Sequence, residues 1–200
     1  MSENSSFDSE EMSESSKEED TKTQTDKRKD KDDICLQEDE SIKNINLINA
    51  ISKTLTTILE SNKKLKNYKE IIKNQSIMYF SANSIPNITI RDYLIRIQNY
   101  SEIEKSTLIL AIILIDHMCK RSGVLLTHYN IHRILFSSVL VSIKFNEDSY
   151  FDNNFYSQIA GVKPNELQIL EYIFLELNDF NIFVEDIEYQ QYEKHLSNYL

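Results

Sequence analysis

Leu108–Ile115 reads LILAIILI, eight apolar residues in succession with no polar position at either a strand or a helix period. Its length is less than half of the ~20 residues a helix needs to span a bilayer, so it belongs to a protein core. The pair Ser101 and Glu104 has the spacing of a capping box and predicts a helix start there. Ser122 and Gly123 close the helix after Arg121. A helix apolar on every side must be covered on every side, so this segment predicts the centre of a helical domain.

Reading outward, the chain has only two Gly and two Pro and no clean two-residue alternation, which predicts helix after helix and no sheet. Towards the N-terminus, Ile45, Leu47, Ile48, Ile51, Leu55 and Ile58 are expected near one face of an amphipathic helix that ends by Asn62–Lys64. Ser84–Pro86 marks a turn, and a helix over about Ile88–Gln98 carries Ile90, Tyr93, Leu94 and Ile97 at helical spacing. Towards the C-terminus, a helix is predicted from near Thr127 to about Asn146. Its Ser137 and Ser138 are small enough to admit a neighbouring helix. A short helix follows, capped by Asp152 or Asn153 and closed by Gly161; Pro164 opens the next, where its missing N–H is harmless, and it runs to about Asn178. Phe180, Ile182, Phe183 and Val184 form an apolar strap, and Val184–Leu200 reads as one more helix.

Residues 1–41 read differently. Residues 1–40 hold fifteen Asp and Glu against six Lys and Arg, a net of -9, which leaves 41–200 at -1. With Phe7 as its only aromatic residue, this stretch is expected to be a disordered acidic tail, and 42–200 a single domain. Ser5, Ser15 and Ser16 each have an acidic residue three positions on, the pattern of acidophilic kinases. Lys27, Arg28, Lys29 and Lys31 have the makings of a nuclear address, diluted by four neighbouring aspartates. The opening residues are polar and acidic where a secretory leader would be cationic and then apolar. Cys35 and Cys119 are isolated thiols without metal spacing. An intracellular protein, cytoplasmic or also nuclear, with no membrane anchor is expected. The near-neutral domain lacks the basic surplus of a nucleic-acid binder.

Lys144 and Glu171 stand out because each is a charge on a helix whose other residues are mostly apolar. An unpaired ion beside a core costs several kcal/mol or more in dehydration, which suggests compensation by an outside partner. The plainer alternative is that Lys144 snorkels to water and Glu171 meets an arginine at the core rim. Val141 lies three residues before Lys144 and Leu175 four after Glu171, so each pair shares a helical face. No glycine-rich phosphate loop, nucleophile elbow or zinc pattern occurs. His128 and His132 share a face, yet Tyr129 stands where a metalloprotease has glutamate and no third ligand is evident. No enzyme, cofactor or metal is expected.

Three segments carry a resemblance: LIDHMCKRSG (Leu114–Gly123), NIHRILFSSVLVSIKFNED (Asn130–Asp148) and NELQILEYIFLELNDFNIFV (Asn165–Val184). With Pro86, Ile88 and Ile90; Tyr93, Leu94, Arg96 and Ile97; Asn130, His132 and Arg133; and Tyr189 and Tyr192, the chain resembles a cyclin of the P/U type over about residues 45–196. The resemblance implies an all-α fold: a single cyclin box with a five-helix core, about 88–184, flanked by an N-terminal and a C-terminal helix. It implies a non-catalytic regulatory subunit that binds and activates a cyclin-dependent protein kinase as a heterodimer. Lys144, Glu171, Val141, Phe145, Leu175, Phe180 and Ile182 would form the kinase-binding surface, and Asp116, His132 and Arg133 would be structural. The arginine-containing docking motif of mitotic cyclins is replaced here by Pro86-Asn87-Ile88-Thr89-Ile90, and the residues after Val184 leave room for one helix rather than a second box. The rival reading is a cyclin-fold adaptor or scaffold of transcription-factor type that does not bind a kinase.

Overall fold

In a computed structural model, residues 44–70 and 79–197 are described, and they fall in one compact unit, Asn44–Leu200. The expected acidic tail and its phosphorylation and nuclear-address motifs lie outside the described residues. Helix α1 covers residues 44–63, α2 Ile90–Ser101, α3 Lys105–Ser122, α4 Ile131–Asn146, α5 Asn153–Ala160, α6 Pro164–Leu177 and α7 Asp186–Ser197. Among the described residues there is no strand.

Helix α3 is the centre: every residue from Thr107 to Ile115 is buried. α4 packs along it most extensively, and α6 and α7 also touch it. Ser137 and Ser138 on α4 are fully buried, and Ser138 Oγ donates to the Ala111 carbonyl at 2.6 Å. Only a small side chain lets the two backbones come that close.

The start of α3 departs from the expected capping box. Ser101 is the last residue of α2, Glu102 turns left-handed with φ 47°, and α3 begins at Lys105. Glu104 makes no side-chain cap. Instead Glu147, just past the end of α4, accepts from the Glu104 N–H at 3.0 Å and from Thr107 Oγ1 at 2.5 Å. One amide at the helix start, that of Glu104, is thus satisfied by a carboxylate from the end of the neighbouring helix rather than from within the segment. α2 starts two residues later than expected, because Thr89 caps it by accepting from the Asp92 N–H. α4 likewise starts at Ile131. The buried Asn130 side chain accepts from the Thr127 N–H and donates to the Leu125 carbonyl, holding a turn where a helix was expected.

Other boundaries agree with the sequence reading. Asp152 caps α5 by accepting from the Phe155 N–H at 2.9 Å, Gly161 closes it with φ 74°, and Pro164 is the first residue of α6. In α1, Leu47, Ile48, Ala50, Ile51, Leu55 and Leu59 face the core, whereas Ile45 and Ile58, expected on that face, are exposed. Ile45 falls just off the 3.6-residue stripe that the other six define, whereas Ile58 lies on it and is left uncovered all the same. Arg91 Nε to Asn49 Oδ1 at 2.7 Å and Asn62 Nδ2 to the Leu126 carbonyl at 3.0 Å tie α1 to the rest.

The C-terminal helix is held differently. α7 buries only Leu196. Its register on α3 comes from a polar seam: Lys105 Nζ to Glu193 Oε1 at 2.7 Å, His117 Nε2 to Glu188 Oε1 at 2.7 Å, and the Tyr192 hydroxyl to Asp116 Oδ2.

Because Ile113 is fully buried and Ile45 is not, Ile113→Ala should lower unfolding free energy by about 3 kcal/mol and Ile45→Ala by less than about 0.5 kcal/mol. Urea titration followed by far-UV circular dichroism checks both; equal losses would displace α3 from the core.

Candidate functional site

Lys144 lies in the last turn of α4, where a cation complements the carbonyl end of the helix, and Glu171 lies midway along α6. The two helices pack together, and Lys144 Nζ sits 2.6 Å from Glu171 Oε1. Glu171 Oε2 accepts from Asn153 Nδ2, at the first position of α5, at 3.1 Å. The charges are therefore not unpaired: each compensates the other, and neither an outside partner nor a rim arginine is needed to account for them. The pair remains accessible, with the lysine side chain 27% and the glutamate 15% exposed.

This arrangement leaves bonding capacity directed outward. An ammonium has three donors and Glu171 engages one; each carboxylate oxygen retains a second lone pair. A donor and an acceptor held side by side match the alternating C=O and N–H of a peptide backbone.

The apolar residues expected beside the pair differ in exposure. Phe145 is 53% and Phe180 58% exposed, while Leu175 and Ile182 are half-buried against the core. Val141 is a correction: at 4% exposure it belongs to the core cluster and offers no surface. The helical stripe that it shares with Lys144 dips beneath the surface one turn before the lysine. Tyr172, Tyr150 and Phe151, each more than half exposed, were missed. Tyr172 stands edge-on to Phe180, ring centroids 5.9 Å apart. Tyr150 and Phe151 lie in the α4–α5 loop, with Phe151 tilted against Phe155 at 4.2 Å. The signal for Asn153 was a polar residue at a helix start, which the sequence reading took as a cap; Asp152 is the cap and Asn153 is freed to orient Glu171.

Of the residues expected to be structural, Asp116 accepts from the Tyr192 hydroxyl and pairs with Lys120 Nζ at 2.7 Å. Arg133 bridges Glu166 Oε1 at 2.6 Å and the Tyr79 carbonyl at 2.7 Å. His132 Nε2 lies 2.9 Å from the Ile88 carbonyl, so that nitrogen carries the proton, and the ring stands edge-on to Tyr93 at 5.2 Å. Its Nδ1 is buried without a partner. Burial, with His128 nearby as a lesser contribution, pushes its pKa below the usual histidine value. His128 turns its Nε2 to Glu60 at 3.3 Å, so the two imidazoles have separate partners. Burial raises the Cys119 thiol to about 12, far from thiolate chemistry at neutral pH.

A helical box with this polar pair is what the sequence resemblance implied, and the family comparison decides it: residues 8–182 match the Cyclin family model. The chain belongs to the cyclin family. Among the relatives of this cyclin, Cyclin-U4-2 of Arabidopsis thaliana is 33% identical over 148 residues, 74% of this chain and 68% of the relative. Cyclin-P3-1 of Oryza sativa subsp. japonica is 34% identical over 128 residues, 64% of this chain and 50% of the relative. The PHO85 cyclin-like protein psl1 of Schizosaccharomyces pombe is 32% identical over 123 residues, 60% of this chain and 50% of the relative. The P/U-type subgroup and the all-α fold are thus the ones expected from the sequence. Among the described residues of this cyclin, no helix is long and apolar enough to cross a membrane.

Two measurements test the geometry. Lys144→Met should cost about 1 kcal/mol by stranding the Glu171 carboxylate, and Lys144→Met with Glu171→Leu should recover most of that loss; a urea-based double-mutant cycle with no coupling would dissolve the pair. For His132, the unfolded chain takes up a proton near pH 6.5 while the folded ring resists it, so its contribution is full above that pH and is lost as pH falls below it. His132→Gln, which keeps a donor for Ile88, should flatten the decline in stability between pH 6.5 and 5; an unchanged slope would assign the decline to other groups.

Proposed function

We propose that this cyclin is the regulatory subunit of a cyclin-dependent protein kinase, that it binds and activates the kinase as a heterodimer, and that it contributes no catalytic group. The observation that carries this reading is the accessible Lys144–Glu171 pair at the meeting of α4, α5 and α6; exposed Phe145 and Phe180 and half-buried Leu175 and Ile182 are read as the apolar part of the same surface. The match to U- and P-type cyclins and to a PHO85 cyclin-like protein supports it.

A kinase needs its strand lysine paired with the glutamate of its mobile helix before the nucleotide phosphates and magnesium are held for transfer. A partner that binds only the inward position of that helix moves the population towards it. Changing the active fraction from 1:99 to 99:1 requires about 5.5 kcal/mol of differential binding. About three buried aromatic or aliphatic anchors at ~2 kcal/mol each are enough. The exposed phenylalanines provide such anchors, and the charged pair fixes register on the backbone of the kinase helix. In this reading Tyr150, Phe151 and Tyr172 widen the surface, and Val141 supports it from below.

The test uses the full chain with a purified PHO85-type kinase, measuring phosphate transfer to a Ser-Pro peptide and complex formation by size exclusion. The parent should form a 1:1 complex and raise activity. A Lys144→Ala, Glu171→Ala double variant with unchanged helicity should bind at least about tenfold more weakly. If the parent neither binds nor activates, the adaptor reading moves ahead.

A further inference from the structure

The chain leaves α6 through a helix stop of unusual composition. The Asp179 N–H donates to the Glu176 carbonyl at 2.9 Å and the Phe180 N–H reaches back to the Leu175 carbonyl at 2.8 Å. This is the paired bonding that ends a helix through a left-handed residue, usually glycine. Here two successive residues with full side chains take the left-handed conformation, Asp179 at φ 54° and Phe180 at φ 55°. Such a geometry persists only where neighbouring structure over-determines it.

The turn has one bond of its own across the pair, from the Asn181 N–H to the Asn178 carbonyl at 3.0 Å, and further bonds from another helix. Arg121, in the last turn of α3, directs Nη1 at the Asn178 carbonyl at 2.5 Å and at the Asn181 carbonyl at 3.1 Å. These two carbonyls flank the strained pair. A cation here also meets the negative end of α6. Asn178 is fully buried and its Nδ2 donates to the Phe174 carbonyl at 3.0 Å, which anchors one side of the turn. With the turn fixed, Phe180 projects outward beside Tyr172.

We propose that Arg121 is a positioning residue for the kinase-binding surface: it fixes the 178–183 strap in the strained geometry that presents Phe180 and Ile182. The inference rests on the kinase-binding reading above. Arg121 does not touch the partner in this scheme; it removes the ordering cost that the strap would otherwise carry on association.

Two readouts on the full chain decide it. In the free chain, Arg121→Met should speed hydrogen exchange at the Asp179, Phe180 and Asn181 amides by about tenfold or more, with the interior amides of α3 and α6 unchanged. With the purified PHO85-type kinase, Arg121→Met should weaken affinity about tenfold, and Arg121→Lys, whose ammonium also carries several donors, should regain most of it. Asp179→Gly makes the left-handed turn without side-chain conflict, so in that background the Arg121→Met loss should shrink to about threefold. Unchanged exchange, unchanged affinity, or an equal loss with and without Asp179→Gly would overturn the proposal. A parent chain that fails to bind the kinase removes the kinase reading, whereas the exchange result separately decides whether Arg121 holds the strap.

Discussion

The fold depends on the need to surround α3. A helix with Leu, Ile and Ala on all sides is stable in water only if each side is covered, and each buried Leu or Ile contributes roughly 1.5–3 kcal/mol for leaving solvent. α4 covers one side at close range through Ser137 and Ser138, and α6 and α7 also contact α3. Because α4 and α6 also pack on one another, the lysine ending one and the glutamate midway along the other meet. The candidate site is in this sense a by-product of core packing: two charges are brought to the boundary where the apolar stripes run out.

That pairing changes what the charges can do. Had Lys144 and Glu171 been solitary, their own desolvation would have driven association. Since they satisfy one another, and Asn153 holds the second carboxylate oxygen, their role in the proposed interface is orientation. In that proposal area is left to Phe145 and Phe180, and geometry to the ion pair. An interface built this way discriminates by the placement of backbone donors and acceptors more than by net charge.

Much of the fold was legible in the sequence because its signals are local. The apolar run of α3, the Asp152 cap, Gly161 and Pro164 each act within a few residues, and the structure uses them where the sequence places them. The features that escaped are those whose partner is distant. The cap of α3 is Glu147, some forty residues away, while Ser101 and Glu104, which have the right spacing, are separated by the left-handed Glu102. The Lys144–Glu171 contact needs the crossing of two helices, which no spacing rule contains. Val141 was placed on the surface by the resemblance and by the face it shares with Lys144, yet whether a face is covered depends on the neighbouring helix. Arg121 carries no local signal of its role, because its carbonyl partners lie on the strap nearly sixty residues on.

The polar seam under α7 sets a hierarchy of cooperativity. A helix with one buried leucine and two half-buried tyrosines, held also by a lysine–glutamate pair, an imidazole–carboxylate contact and a phenol on an aspartate, loses less apolar contact on lifting away than α4 or α6 would. Its opening free energy lies below that of the α3–α4–α6 body, so α7 is a separate unfolding unit. Charge-based attachments are also screened by salt in a way that burial is not. Ionic strength therefore acts selectively on this cyclin: it loosens the C-terminal helix before the apolar α3–α4–α6 body.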